Sequence, residues 1–158
     1  MTRAMTLDDV DWKILAELQR DGALTNVELA RRVGLTPPPC LRRVHALQEA
    51  GYIEGYRAIL DAGRLGYSVI CFAFVHLASQ AEGDLAAFQE RVAGWPNVRE
   101  CWTLSGDIDF LMKCVTEDLP SLQAFVTELT ATPNVRNVRT ALALGKVKDE
   151  GLVPMLRN

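Results

Sequence analysis

No run in this chain approaches the roughly 18 consecutive apolar residues of a membrane span, which argues against a spanning helix. The opening segment MTRAMTLDDVDW lacks the apolar core of a secretory leader. The expectation is a soluble protein kept in the cytoplasm, without a membrane partner. Histidine is scarce, with His45 and His76 alone in the chain. Cysteines Cys40, Cys71, Cys101 and Cys114 lie far apart, and no CxxC or His/Cys cluster occurs. That spacing argues against a metal centre or a disulfide framework, and the cysteines read as small reduced hydrophobes of a core. No nucleophile stands in a recognisable pairing with a base, and no glycine-rich phosphate loop is present. Neither catalysis nor a cofactor is expected. Excess charge is lacking as well: a net −3 suits neither a disordered chain nor a general coat for nucleic acid.

What the chain does have is apolar residues, 49% of its 158, enough for one large core or two small ones. It also has a local concentration of positive charge. Between Glu28 and Glu49 lie Arg31, Arg32, Arg42 and Arg43 and no acid. A basic island on a mildly acidic protein suggests one localised contact with phosphates.

Helical periodicity opens the chain. In LDDVDWKILAELQRDG, Leu7, Val10, Ile14, Leu15 and Leu18 fall on one helical face. Asp8 caps the start with Asp11 three residues on, and Gly22 marks the end. In TNVELARRVGL, Thr25 is the cap, Val27, Leu29, Ala30 and Val33 form the apolar side, and Gly34 is the stop. Two short helices joined by a brief glycine-containing turn match a helix-turn-helix.

A third helix begins at Pro37, Pro38 and Pro39. The first N–H groups of a helix have no intrahelical partner, so proline loses nothing there. With Thr36 as N-cap, the N–H groups that its hydroxyl would normally accept are missing. The Thr36 hydroxyl is therefore expected to be free for a contact outside the helix. Cys40, Leu41, Val44 and Leu47 gather on the inner side, Arg42 points away with Pro38, His45 and Ala46 around it, and Arg43 sits at the flank. The third helix of such a trio is the one that enters a major groove. After Gly51, YIEGYRAILD reads as a two-stranded wing or as one strand leading outwards.

Beyond AGRLGY the period changes. SVICFAFVHLAS, NVRECWTL, IDFLMKCVT and VRNVRTALALGKV read as strands. DLAAFQERVAGW and LPSLQAFVTELTAT read as helices. The order β-α-β-β-α-β is a ferredoxin-like unit. WPNVRECWTL and TPNVRNVRTA share Pro-Asn-Val-Arg, the trace of an internal duplication. Both faces of the strands are apolar, and helices cover only one, so the other face is expected to meet a second copy. The fold class is α+β: a winged helix-turn-helix over 1–60, a hinge over 61–67 and a ferredoxin-like domain over 68–158.

LDDVDWKIL, NVELARRVGLTPPPCLRRVHALQEAGYIEGYRAIL and NVRECWTLSGDIDFLMKCV, taken in order, resemble the Lrp/AsnC family of transcriptional regulators over nearly the whole chain. Pro38 departs from the small polar residue more usual in the family, and His45 and Ala46 replace residues that are more often basic. The resemblance implies a regulator that binds double-stranded DNA and pairs through its sheets. It implies a homo-oligomer, a dimer or a larger octamer-like ring, whose C-terminal (RAM-type) domain senses an amino acid or related metabolite. It implies DNA contacts from Arg31, Arg32, Thr36, Pro37, Pro38, Arg42, Arg43 and His45. A glycine-x-x-aspartate loop implies effector contacts from Thr103, Leu104, Ser105, Gly106, Asp107 and Asp109, with Thr140 on the last strand. Two other functions fit the same architecture: an enzyme resembling the sirohaem decarboxylases, and a metabolite-binding partner protein without DNA binding.

Overall fold

The computed structural model describes residues 6–151 and 153–155. They form helices α1 (Asp9–Arg20), α2 (Asn26–Val33) and α3 (Pro37–Glu49), then β1 (Val69–Leu77), α4 (Glu82–Ala93), β2 (Val98–Thr103), β3 (Phe110–Thr116), α5 (Leu119–Thr130) and β4 (Val135–Leu142). The chain divides into two compact units. One runs to Ile59 and takes in the segment from Lys148 onward; the other is Leu60–Val147.

The N-terminal unit follows from its caps. The Asp8 carboxylate accepts from the N–H groups of Val10 and Asp11, both at 2.9 Å, and the Asp11 carboxylate accepts from the Asp8 N–H at 3.1 Å. This reciprocal box satisfies donors that the first helical turn leaves open. Thr25 caps α2 by accepting from the Glu28 N–H. Gly34 ends it in the left-handed region at φ 74°, where a side chain would be strained. The core is Ile14, Leu15, Leu29, Ala30, Val33, Cys40 and Leu47. Two expected core residues stand outside it: Val27 and Leu41 are 66% and 43% exposed.

The segment expected to form the wing carries no strand among the described residues. Residues 53–61 form neither helix nor strand. A two-residue hairpin turn needs positive φ at one or both central positions, and Gly55 is not among the residues with positive φ. Instead Gly51, at φ 79°, closes α3: the Tyr52 N–H reaches back to the Leu47 carbonyl at 2.9 Å.

The segment from Lys148, expected with the C-terminal domain, packs instead with the N-terminal unit. The Gln19 side chain grips the Val153 backbone twice, donating to its carbonyl at 2.7 Å and accepting from its N–H at 3.1 Å. Met155 packs on the N-terminal core. A Cβ on Gly151 would stand 2.3 Å from Gln19 Cγ, so glycine permits this approach.

The C-terminal unit is an antiparallel sheet of order β2-β3-β1-β4. Ala73, Val75 and Leu77 of β1 and Phe110, Met112 and Cys114 of β3 face α4 and α5, which contribute Phe88, Val92, Phe125 and Leu129, with Trp95 just after α4. Period-two alternation sends Phe72, Phe74 and Leu111 to the opposite face, where the Trp102 beside Leu111 is 44% exposed. No helix of the described residues is long and apolar enough to cross a membrane.

Candidate nucleic-acid interface and ligand cleft

The arginine island resolves into distinct roles. Arg31 makes a two-pronged contact with the Glu28 carboxylate, at 2.9 and 2.7 Å. Arg32 bridges Glu28 at 2.8 Å and Glu17 at 3.0 Å. Arg43 turns back to α1, donating to Asp8 at 2.8 Å and Asp11 at 2.7 Å. Arg42 is exposed and has no ion pair or hydrogen bond among the described residues. The two adjacent arginines therefore do opposite things. Arg43 braces α3 against the capping box of α1, and Arg42 is presented to solvent.

The proline start behaves as the chemistry of the chain requires. Thr36 has extended backbone and makes no side-chain cap hydrogen bond. Its carbonyl accepts from the Cys40 N–H at 3.3 Å, and the Pro37 carbonyl accepts from the Asn26 side-chain amide at 2.8 Å. That second bond ties the start of α3 to the first residue of α2. Pro38 and His45 line the same shallow hollow as Arg42, together with Leu41, Ala46 and Glu49.

Hydrogen bonds from Arg31, then from Arg32, pull the Glu28 carboxyl down from 4.5 to about 2. A carboxylate whose pKa is depressed by folding adds stability above its unfolded pKa, and that stability is lost as pH falls through the folded value. Glu28→Gln should therefore flatten the acid-induced loss of helicity between about pH 4.5 and 2, followed by circular dichroism. Because the group is exposed, the effect should be small and should shrink further in high salt.

In the C-terminal unit, Asp109 is the pivot of the loop between β2 and β3. It is 7% exposed. One carboxylate oxygen accepts from the Leu77 N–H and the other from the Gln80 amide, each at 2.7 Å. Its N–H donates to the Val75 carbonyl at 3.0 Å, and its carbonyl accepts from the Leu104 N–H at 2.9 Å. The loop turns at Gly106, at φ 117°, and carries Ser105 and Asp107 at the surface.

Beside this pivot lies a cleft of about 380 Å³ lined by His76, Leu77, Gln80, Asp107, Asp109, Arg136 and Asn137. Of the seven residues expected at an effector site, Asp107 and Asp109 line it. Thr103, Leu104, Ser105 and Gly106 lie along the hairpin without lining the cleft. Thr140 pairs with Ala73, whereas Asn137 pairs with His76; three residues along a strand is about 10 Å. The other lining residues, His76, Leu77, Gln80, Arg136 and Asn137, were not among those expected. Arg136 belongs to the second Pro-Asn-Val-Arg copy, the one sequence signal that marks it. The pairing of His76 with Asn137 becomes visible only with the β1–β4 register.

The cleft is strongly polar, with carboxylates on one side and a guanidinium on another. The N-terminal unit carries a helix trio with one outward arginine that is unpaired among the described residues. Residues 7–54 match a winged helix-turn-helix DNA-binding family, and residues 70–153 match the Lrp/AsnC ligand binding domain. The leucine-responsive regulatory protein of Rhizobium meliloti is 56% identical over 150 residues, which are 94% of this chain and 96% of that protein. The Bkd operon transcriptional regulator of Pseudomonas aeruginosa is 41% identical over 150 residues, 94% of this chain and 98% of its own. Among solved structures, a Neisseria meningitidis transcriptional regulator in complex with L-Met superposes with a TM-score of 0.91 at 34% identity, covering 96% of this chain and 98% of that one. Likeness of this extent spans both units in the same order, and on it the chain belongs to the Lrp/AsnC family, as a transcriptional regulator with a helix-turn-helix DNA-binding unit and a ligand-binding unit.

Proposed function

We propose that α3 enters the major groove of double-stranded DNA with Arg42 as its principal contact, and that an amino acid in the His76–Arg136 cleft controls the binding. The observation that carries the DNA half is the division of the arginines: Arg42 is unpaired beside three that are engaged with acids. Arg31 is 73% exposed along its side chain and can exchange Glu28 for a phosphate, as can Arg32. Thr36, with its hydroxyl uncapped, adds a phosphate hydrogen bond, while Pro37 and Pro38 hold the helix start rigid and His45 adds a ring donor. Arg43 takes a bracing role in place of a phosphate contact.

For the ligand half, the L-Met bound to the Neisseria meningitidis regulator supports an α-amino acid. Arg136 supplies a cation for its carboxylate, and Asp107 an anion for its ammonium. Asp109, with both oxygens already engaged, shapes the cleft. The bare face carrying Phe72, Phe74, Leu111 and Trp102 supports pairing with a second copy through the sheets, and through such pairs a larger ring. The ligand acts on DNA by favouring one arrangement of copies over another. The named relatives are regulators, and although His76 and Arg136 line the cleft, its polar lining is not the apolar cavity that decarboxylase chemistry would need.

A footprint over the DNA upstream of the protein's own gene tests this, with salt varied and an amino-acid pool present or absent. Protection repeating at about 10 base pairs, and changing with the pool, is the expected outcome. Lack of protection there and on genomic fragments, even at low salt where phosphate contacts are strongest, would sink the DNA half.

A further inference from the structure

The hollow on α3 holds more than a cation. Pro38, Leu41, Arg42, His45, Ala46 and Glu49 line it, and they repeat at three- and four-residue steps, which makes them one exposed helical stripe. The stripe is apolar at Pro38, Leu41 and Ala46. Leu41 is the anomaly: it is 43% exposed and belongs to neither the N-terminal core nor the residues packed on it. The inner side of α3 is already anchored by Cys40 and Leu47, both at 0%. Folding therefore gives no reason for a leucine beside Arg42.

Groove chemistry supplies one. Along the major-groove edge the one apolar group is the 5-methyl of thymine, and the usual partners for arginine are the guanine O6 and N7. Recognition helices read bases with their N-terminal half, where Pro38, Leu41 and Arg42 stand. We infer that Leu41 is a specificity residue: its isobutyl group, backed by Pro38, seats the 5-methyl of a thymine within a base pair or two of the contact made by Arg42. The inference rests on α3 being the DNA-reading helix.

Selection of a bound duplex from a random pool with the full chain supplies the site. Each thymine in it is then replaced singly by deoxyuridine, which removes only the methyl group. At one thymine per half-site, affinity should fall about three- to fivefold, the scale of one buried methyl group. Leu41→Ala should weaken binding to the thymine duplex by a similar factor and show no further loss with deoxyuridine, because both changes remove the same contact. The melting temperature of Leu41→Ala should be unchanged, since the residue is outside the core. Full thymine dependence persisting in Leu41→Ala, or a selected site indifferent to deoxyuridine at every position, overturns the thymine seat alone. Failure to enrich any duplex overturns the assignment of α3 as well.

Discussion

Arg42→Ala should lower DNA affinity by about 5- to 150-fold, the range for losing one arginine contact to a base, and leave the melting temperature where it was. Arg43→Ala should do the reverse. Arg42 has no partner to lose among the described residues. Arg43 holds Asp11, whose side chain is 3% exposed. Removing the guanidinium leaves a buried carboxylate with one remaining donor, the Asp8 N–H. Hydrogen bonds to charged groups contribute about 1.5–3 kcal/mol. Arg43 is partly solvated, so the lower end applies: about 2 kcal/mol, or a fall of roughly 10 °C for a unit this small. Melting followed by circular dichroism, and titration of a labelled duplex below the melting range, separate the two. If Arg43→Ala loses DNA and keeps its melting temperature, the two roles have been exchanged.

Asp109→Ala should have the largest effect in the C-terminal unit. It strands the Leu77 N–H at the buried end of β1 and frees Gln80, removing two charge-assisted bonds at once. A loss of about 3 kcal/mol follows, and with it a fall of about 12 °C or more in the unfolding of that unit. Asp109→Asn keeps one acceptor oxygen, and Gln80 can turn its amide to meet the new NH2 group, so it should recover much of the stability. Asp107→Ala should leave stability alone and abolish the thermal shift produced by an amino acid. The division fails if Asp109→Ala melts normally and loses only the ligand response.

Much of the fold was legible because its signals are local. The Asp8–Asp11 box, the Thr25 cap, Gly34 and the proline start are each decided within a few residues, and all form as the chain chemistry demands. The alternation in β1 and β3 and the apolar face of α5 are equally local. What the sequence hid was set by partners distant along it. Arg43 looked like a free cation because its acids, Asp8 and Asp11, lie more than 30 residues back. Asp109 looked like an open carboxylate because its partners, Leu77 and Gln80, stand on another strand and its following loop. Leu41 looked buried because helical periodicity locates a stripe but not its width. Arg136 carried a repeat as its only mark, and its meeting with His76 and Asp107 needs the sheet to be assembled.

The grip of Gln19 on Val153 also sets an order of events during synthesis. The DNA-binding fold draws on residues up to Ile59 and again from Lys148, and the sensor occupies the sequence between them. In the nascent chain, α1 emerges first and is completed last: residues 60–147 are all made before Val153 exists to meet it. The sensor is contiguous and can close on itself as it leaves the ribosome, since domains generally fold as units during synthesis. The helix trio must wait for its final strap. A ribosome stalled within the sensor therefore holds a chain whose DNA-binding unit is unfinished, and a lesion in the segment after Lys148 is felt at the opposite end of the sequence.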